Sequence, residues 1–368
     1  MAAGWSGPDA PASWRLTAAL FEAVAAHDEL LNRLAFLPPD HLPALLASAA
    51  TCYLANRYRP GQFAAYFPQP GGPQPAFDDG FFPAAAAFFT ARLDDIAGVC
   101  HRRRYQMNEV ARCTQVALGI AATAVPPTDP VALVDLGTGT GLGLQLDRFG
   151  YRVGTRTCGP PAASLTLECQ ARGRHQPPLA ELPPIAARVG IELHPVDLED
   201  PAARAWIQAC APPEASALAR LTAAMDLTRN HPEKIITGDA VDALAGALSS
   251  LGRRHHVIVV DAYLAVFLPP ERRSLLADVM TQAGRSHPVT WLSLDPLVPL
   301  GPDADRSVQG LAIPASLVRD YQQHGVFAVL GARTFRGGTS YGQILARAHP
   351  SGQWVEWISP DSDFQSPA

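Results

Sequence analysis

The chain has 368 residues with a formal net charge of −5 and a pI of about 6.1, and 48% of its residues are hydrophobic. That length and apolar content suffice for one large domain or two ordinary domains with a buried core. The only basic run of this mildly acidic chain is Arg102-Arg103-Arg104, which does not favour binding to nucleic acid or to an anionic membrane surface. We therefore expect neither as a partner.

The six cysteines form no C-x-x-C pair and have no metal-ligand spacing, so we expect free thiols and no metal. Residues 1–14 lack a charged segment followed by an apolar run, which predicts no signal peptide. Apolar stretches such as residues 81–89 are too short to span a bilayer. These features together predict a cytoplasmic protein.

The first third of the chain, residues 1–128, is predicted to be helical. Residues 14–26 and 41–58 place apolar side chains at three- and four-residue spacing, the period of an amphipathic helix. A Pro- and Gly-rich break follows at residues 68–75, and the segment ends at the proline-rich residues 126–130. We interpret residues 1–128 as a helical domain that forms a lid or substrate region.

Short apolar runs alternate with helical stretches after residue 128, a pattern that predicts a doubly wound parallel sheet. The predicted strands cover residues 131–136, 164–169, 234–237, 256–261 and 289–294. Two further runs, residues 325–334 and 341–348, lie close together and predict a C-terminal antiparallel hairpin. The expected fold is α/β, with a Rossmann-like sheet over residues 129–368.

The end of the first predicted strand carries the most specific signal, the glycine turn Val134-Asp135-Leu136-Gly137-Thr138-Gly139-Thr140-Gly141. A dinucleotide site requires G-x-G-x-x-G, but Leu142 or Leu144 occupies the third glycine position. A phosphate-binding P-loop requires Gly-Lys, but the single lysine is the distant Lys234. An acid followed by G-x-G-x-G is instead the usual opening of an S-adenosylmethionine (SAM) site. A tight turn with no ligand and a site for another nucleotide are the alternatives. The expected cofactor contacts in the turn are Asp135, Gly137, Thr138, Gly139 and Gly141.

Acidic residues lie at or just beyond the carboxyl ends of the predicted strands, where ligands of open α/β sheets bind. They are Asp135, Glu168, Asp239, Asp261 and Asp295. Glu168 is the candidate for binding the ribose hydroxyls, although it lies 27 residues beyond Gly141, further than in dinucleotide sites. Asp239 suits a hydrogen bond to the adenine amine. The alternative for each acid is capping of the helix or turn that follows.

The segment before the first strand holds a further candidate for cofactor binding. Residues 105–112 are predicted to lie on a helix, where Asn108 and Arg112 share one face. That face is expected to bind the carboxylate and amine of SAM, with Arg112 as a bidentate clamp. The alternative is a helix surface on which Glu109 pairs with a neighbouring arginine.

Three residues are candidates for catalysis. Asp261 and Tyr263 follow the fourth predicted strand, and Asp261 is expected to act as a base or to orient an amine. Helix capping for Asp261 and a core position for Tyr263 are the alternatives. His349 titrates near neutrality and is a candidate base, unless it is simply a solvated turn residue.

One motif points to a different class of enzyme. The string Gly338-Thr339-Ser340-Tyr341-Gly342 matches the nucleophile elbow G-x-S-x-G of hydrolases. That motif needs a helix after the serine, but a strand is predicted there. We therefore do not expect a hydrolase.

Several blocks of sequence, in a fixed order, carry a resemblance to a known family. They are Gln106-Met107-Asn108-Glu109-Val110, Leu146-Asp147-Arg148-Phe149, His194-Pro195-Val196-Asp197, Thr237-Gly238-Asp239-Ala240-Val241-Asp242, Leu268-Pro269-Pro270-Glu271-Arg272, Trp291-Leu292-Ser293 and residues 349–357. Through them the chain resembles an uncharacterised bacterial family, domain of unknown function 2332. The resemblance implies a fold like that of class I SAM-dependent methyltransferases.

The chain departs from this family at two places. The turn commonly has an Ala-Ser-Ala-Gly-Leu-Asn character in the family, and here it is richer in glycine and nearer to true methyltransferases. A His-Ser or His-Thr pair tends to follow the fourth strand in the family, and here Asp261-Ala262-Tyr263 stands in that place. A role for the family's histidine is therefore not transferred to this chain.

These observations predict an enzyme, a SAM-dependent methyltransferase that acts on a small molecule, for example in specialised metabolism. One alternative is a SAM-binding protein with non-methylating chemistry, either intramolecular or on the aminobutyrate chain. Another is a nucleoside-binding sensor without catalysis. The sequence leaves the methyl acceptor and the oligomeric state open, a homodimer included.

Overall fold

The computed structural model describes residues 14–38, 41–59, 61–123, 125–296, 307–324 and 327–358. The chain packs as two units, each built from segments distant in sequence. The helical unit comprises residues 1–109 and 196–225, and the sheet unit comprises residues 110–195 and 226–368. The fold is mixed α/β with a large, mostly parallel central sheet.

The helices of the described residues, in chain order, are α1 (Trp14–Ala25), α2 (Asp28–Leu34), α3 (Pro43–Tyr58), α4 (Gly61–Ala64), α5 (Phe81–Arg102), α6 (Arg112–Ala121), α7 (Pro201–Cys210), α8 (Ala215–Asn230), α9 (Ala240–Ser250), α10 (Pro270–Gly284) and α11 (Ala315–His324). The predicted helices at residues 14–26 and 41–58 are confirmed as α1 and α3. No described helix is long and apolar enough to cross a membrane.

The strands, in chain order, are β1 (Val131–Leu136), β2 (Gly150–Val153), β3 (Arg156–Cys158), β4 (Thr166–Arg172), β5 (Ile185–Glu192), β6 (Ile235–Thr237), β7 (His256–Ala262), β8 (Val289–Pro296), β9 (Ser307–Val308), β10 (Leu311–Ala312), β11 (Ala328–Arg336), β12 (Thr339–Ala348) and β13 (Trp354–Trp357). Strands β9 and β10 form a separate pair, and the other eleven form one sheet in the order β3-β2-β4-β13-β12-β11-β8-β7-β1-β5-β6.

One part of this sheet, which we call the parallel half, contains β6, β5, β1, β7 and β8, and these five strands are parallel to one another. Ranked by chain order, these strands lie 3-2-1-4-5, the order of a doubly wound sheet. Every residue of β1 is buried, as expected for a central strand covered on both faces. Strand β5 pairs with one side of β1 and strand β7 pairs with the other side. The end of β1 is therefore a topological switch point.

The remaining strands form what we call the mixed half, in the order β11, β12, β13, β4, β2 and β3. Strand β11 is antiparallel to both β8 and β12, which confirms the predicted C-terminal hairpin. Strand β13 then pairs antiparallel with β12 and parallel with β4. The strands β2, β3, β5 and β13 were not predicted from the sequence. The motif at residues 338–342 lies in the hairpin and leads into β12, so it forms no strand–turn–helix elbow.

Helix α3 lies at the centre of the helical unit. Its residues 46–55 are all buried, because α3 contacts α1, α5 and α7. A helix buried on all sides needs apolar or small side chains on every face. The aromatic rings of Phe63 and Phe88, stacked with centroids 4.7 Å apart, pack α4 against α5.

Helix α6 is the corresponding buried helix of the sheet unit. Residues 112–120 are all buried, because α6 contacts β4, β7, β8 and β11. Leu118 belongs to one apolar cluster with Cys169 of β4 and Leu330 of β11. The face at Gly119 packs directly against the side chains of Leu292 and Leu330. The sheet therefore packs around α6 from both halves.

The observed units differ from the predicted division at residue 128 in two places. Helix α6 belongs to the sheet unit, and residues 196–225 belong to the helical unit. The physical reason is that α6 is buried against strands of the sheet, which β4, β7, β8 and β11 supply. The expectation of no signal peptide falls largely on residues 1–13, which lie outside the described residues.

Candidate functional site

The glycine turn has a backbone that only glycine adopts readily. Gly137, Gly139 and Gly141 have φ values of 64°, 57° and 82°, in the left-handed region. The amides of Gly137 and Thr138 donate to the carbonyl of Ile191 at 2.9 and 3.1 Å, which fixes the turn on β5. The alternating glycines of the sequence are thus required by the backbone conformation of the turn at the end of β1.

Asp135 lies beneath this turn. It is 7% exposed, and its Oδ2 accepts a 2.6 Å hydrogen bond from the Thr138 hydroxyl. A Cβ at Gly143 would lie 2.5 Å from the same oxygen, so a glycine is needed there as well. Burial raises the pKa of Asp135 to about 7, and the charges of Glu192 and Asp261 add to this effect while Thr138 opposes it.

Glu192, at the end of β5, is the residue that sequence reasoning missed. Its Oε2 accepts from the amide of Gly139 at 2.8 Å, and its Oε1 accepts from the amide of His194 at 3.0 Å. An acid at the end of the strand beside β1 is where dinucleotide sites hold the ribose. Glu192 lies 51 residues beyond Gly141, because β2, β3 and β4 are inserted between β1 and β5.

Glu168, the predicted ribose ligand, is not brought to the turn. It lies in the middle of β4, is exposed and pairs with Arg152 of β2. In strand order β4 is separated from β1 by β13, β12, β11, β8 and β7. The expectation that Glu168 ends a strand beside the glycine turn is therefore wrong, because β4 pairs into the mixed half.

Asp261 and Asp295 form a buried acid pair at the ends of β7 and β8. Asp261 is 0% exposed and accepts from the indole of Trp291 at 2.8 Å and from the amide of Ala265 at 3.2 Å. Asp295 accepts from the Ser293 hydroxyl at 2.8 Å. Burial raises the pKa of both acids, and the charge of Asp261 raises the pKa of Asp295 further. The pKa of Asp295 is therefore raised both by burial and by its neighbour.

The burial and the hydrogen bonds of Asp261 bear on the prediction that it acts as a general base. A general base must reach the proton that it removes. Both oxygens of Asp261 are engaged with protein groups, and the side chain is enclosed. Asp261 is thus placed to hold β7 and β8 in position, next to the end of the strand where Tyr263 emerges.

Tyr263 adopts a strained backbone after β7. Its φ is 67°, which is rare for an aromatic residue, and such strain concentrates at functional sites. The guanidinium of Arg112 lies 3.5 Å from the centre of the Tyr263 ring. The Nε of Arg112 donates to the carbonyl of Pro350 at 2.7 Å. Arg112, predicted as a clamp for the SAM carboxylate, is therefore held against Tyr263 by a cation–π contact.

The predicted pairing of Asn108 with Arg112 on one helix face is wrong. Residues 103–109 are not helical, and α6 begins only at Arg112. Glu109 forms an ion pair with Arg220, at 3.6 Å, in the helical unit. The block from Gln106 to Val110 therefore leads into α6 as an irregular segment.

His349 lies in the turn after β12 and is 6% exposed. Its Nδ1 accepts from the amide of Ser351 at 3.1 Å. Burial lowers its pKa to about 4, and the charges of Arg172 and Arg112 act in the same direction. The imidazole is therefore neutral at pH 7 and a weaker base than an ordinary histidine.

Asp239 is the N-cap of α9, the role that was its alternative. Its Oδ1 accepts from the amides of Val241 at 2.9 Å and Asp242 at 3.2 Å, and Arg272 also contacts this oxygen. All of these contacts use Oδ1. The other oxygen, Oδ2, remains available for a ligand.

The structure thus collects part of the predicted site at one edge of the parallel half. Asp135 and Glu192 meet at the glycine turn, and the charge of Asp261 reaches Asp135. His349 lies in the mixed half and Glu168 lies on its β4 strand. No group of three or more possible metal ligands occurs among the described residues.

The fold and this edge define an α/β protein with a glycine turn and acidic side chains at the switch point of a doubly wound sheet. A family model described as "Uncharacterized protein conserved in bacteria (DUF2332)" matches residues 8–357. The chain belongs to this family, as its sequence blocks predicted. No curated protein matches the chain.

Proposed function

We propose that the sheet unit binds SAM at the end of β1 and transfers its methyl group to a small molecule. The observation that carries this proposal is the glycine turn, with three left-handed glycines at the switch point and Glu192 beside them. Ligands of open α/β sheets bind at such a point. The family membership is consistent with any function, because fold and family do not fix chemistry.

The local chemistry favours a cationic ligand over a phosphate. A phosphate site uses the N-terminus of an α-helix, but this turn leads into a 3₁₀ helix, Leu142–Arg148, with a non-helical residue at Gln145. Glu192 adds negative charge at the turn, and Asp135, whose pKa is raised to about 7, adds only part of a charge near neutral pH; this negative potential repels phosphate. SAM brings a sulfonium and an amine, and the negative potential attracts both.

Two acids have the geometry to recognise the nucleoside. An ionised carboxylate has about four lone-pair sites, and Glu192 uses two of them for the amides of Gly139 and His194. The remaining sites suit the ribose hydroxyls. The Oδ2 of Asp239 suits the adenine amine, because the hydrogen bonds of this acid to Val241, Asp242 and Arg272, within the described residues, all use Oδ1.

In this proposal the methyl transfer depends mainly on positioning. Alignment of a nucleophile with the methyl group supplies a large part of the rate in such a reaction. Asp261 acts as a positioning residue, and Tyr263, whose hydroxyl is buried and whose ring packs against the apolar cluster of Leu118 and Leu330, supports the end of β7. Asp261→Asn is then expected to slow turnover more than it weakens SAM binding, and equal losses would assign Asp261 to the cofactor.

Isothermal titration calorimetry with SAM and with S-adenosylhomocysteine tests the proposal. We expect saturable binding to the wild-type chain and a loss of affinity of about tenfold or more in Glu192→Gln, the cost of a charged hydrogen bond. Glu168→Gln is the matched control, since it changes the same side chain in an exposed ion pair. No heat with either ligand in a folded sample, or equal losses in the two variants, would contradict the proposal.

The burial of Asp261 favours a second candidate, a nucleoside-binding protein that does not transfer the methyl group. Incubation with methyl-labelled SAM and a cell extract separates the two. Label recovered in a small molecule supports a methyltransferase. Intact SAM, in a sample that binds it, supports the second candidate.

A further inference from the structure

A cavity of about 270 Å³ lies in the helical unit, between the ends of α3 and α5. Its wall carries Arg57, Arg102 and Arg103 beside the rings of Tyr53 and Tyr58 and the carboxylate of Asp95. Two of these arginines come from the only basic run of the sequence. The third residue of that run, Arg104, bonds His41 at 3.1 Å instead.

The charges around the cavity are not balanced. Asp95 pairs with Arg92 at 3.3 Å. Arg57, Arg102 and Arg103 form no ion pair within the part of the chain that the structure describes. Three arginines therefore line one cavity in a chain whose net charge is −5. Such a concentration of one sign attracts counter-ions.

Aromatic rings hold these arginines in place. The guanidinium of Arg103 lies 5.4 Å from the ring of Tyr53 and 5.3 Å from that of Trp206. The Nη1 of Arg57 lies 3.5 Å from the Tyr53 hydroxyl. Cation–π contacts of this kind orient a guanidinium without neutralising it. A cation ordered in advance loses less entropy when it binds an anion.

Glycine makes room for Arg102. A Cβ at Gly98, one turn earlier on α5, would lie 3.1 Å from the Nη1 of Arg102. The guanidinium thus lies against the helix backbone. A simpler explanation for Arg57 and Arg102 is attraction to the helix C-termini. That attraction does not explain why Arg103, outside the helix, converges on the same cavity.

We propose that this cavity binds the carboxylate or phosphate group of a small anionic ligand. Both groups accept the two parallel hydrogen bonds of an arginine fork. The volume is below that of most sites for drug-sized ligands, so it suits a compact anion or the anionic end of a larger molecule. The site is distinct from the SAM site and does not rest on it.

Calorimetric titration with inorganic phosphate and with benzoate, at constant ionic strength in chloride, tests this site. We expect saturable binding of at least one anion, weakened about tenfold or more in Arg57→Gln and in Arg103→Gln. Arg33→Gln is the matched control, because Arg33 is an exposed arginine of the same unit, paired with Asp94 at 3.1 Å. Arg57→Lys keeps the charge but loses the fork, so its affinity is expected to lie between.

Each outcome decides the question. Binding of phosphate alone identifies a phosphate ligand, and binding of benzoate alone identifies a carboxylate. No saturable binding of either anion would overturn the proposal, as would equal losses in the cavity variants and in Arg33→Gln. If the glutamine variants do not fold, the wild-type and Arg57→Lys chains suffice. Addition of the anion that binds must then raise the melting temperature of the wild type more than that of Arg57→Lys. An equal rise in the two chains would refute the site.

Discussion

The parallel and mixed halves of the sheet differ in how they use charged residues. In the parallel half every strand ends at the same edge, so Asp135, Glu192 and Asp261 come together although they are distant in sequence. In the mixed half neighbouring strands often run in opposite directions, and charges pair across strands. Arg347 of β12 and Glu356 of β13, 2.7 Å apart, are one such pair. The common direction of the strands in the parallel half therefore gathers these three acids at one edge of the sheet.

The two halves also bury opposite kinds of titratable group. The parallel half buries Asp135, whose pKa is raised to about 7. The mixed half buries His349, whose pKa is lowered to about 4. In both cases burial disfavours the charged form. The two groups therefore make stability depend on pH in opposite directions.

The largest expected effect comes from adding a methyl group where each half packs most tightly. A Cβ at Gly190 would lie 2.5 Å from Thr138 below the turn, and a Cβ at Gly352, where φ is 72°, would lie 2.6 Å from the backbone of Ala111. Each alanine variant is expected to lose about 3–5 kcal/mol of unfolding free energy in urea titrations, at or above the usual cost of overpacking, because the neighbouring atoms must shift to admit the Cβ. Only Gly190→Ala is expected to weaken SAM binding as well.

A third glycine provides the control for these variants. A Cβ at Gly246, inside α9, meets nothing within 4 Å. Gly246→Ala is expected to stabilise the chain by about 0.5–1 kcal/mol, because alanine is the better helix former. Equal loss of SAM affinity in Gly190→Ala and Gly352→Ala would remove the functional distinction between the halves.

The next largest effect concerns Asp135 and pH. The folded chain holds the Asp135 proton up to a pKa of about 7, against an ordinary value of 3.8. The unfolding free energy therefore falls as pH rises from about 4 to about 7 and is constant above that range. Asp135→Asn removes this pH dependence, which amounts to on the order of 2–4 kcal/mol. The unfolding free energy of the variant minus that of the wild type is therefore expected to rise between about pH 4 and about pH 7. Urea titrations at several pH values measure the difference, and a constant difference would contradict the raised pKa.

His349 makes the unfolding free energy depend on pH in the opposite direction, and this effect is expected to be smaller. Its pKa is lowered from 6.5 to about 4, so protonation favours the unfolded chain. The stability that depends on neutral His349 is present above about pH 6.5 and is lost as pH falls toward 4, by about 2–3 kcal/mol. His349→Gln is expected to flatten the acid side of the stability profile. A steeper acid loss in this variant than in wild type would show that His349 is not the group responsible.

The smallest effect is expected at the exposed pair of the mixed half. Arg152 and Glu168 are both largely solvated. An exposed ion pair contributes about 0–1 kcal/mol, so Arg152→Gln is expected to change the unfolding free energy by less than about 1 kcal/mol. A larger loss in thermal or urea unfolding would mean that β2 and β4 depend on this pair.

Much of the parallel half could be predicted from the sequence. The bounds of β1 agree with prediction, and the hairpin of β11 and β12 is confirmed. These features depend on local properties, namely continuous apolar runs and glycines whose positive φ no other residue adopts cheaply. The strand β5 was missed because its sequence includes Arg188 and Gly190 among the apolar residues.

The candidate site was less accessible to sequence reasoning, because its geometry depends on partners far along the chain. The sequence indicated Glu168, which is nearer to the turn along the chain than Glu192, but the insertion of β2 to β4 reverses their proximity in space. Asp261 is enclosed by Trp291 and Asp295, about thirty residues later. The sequence by itself determined the glycine turn, because its backbone path is a property of the glycines. Only the tertiary structure decided which carboxylate meets that turn and which is buried, because strand order and burial depend on how the whole sheet packs.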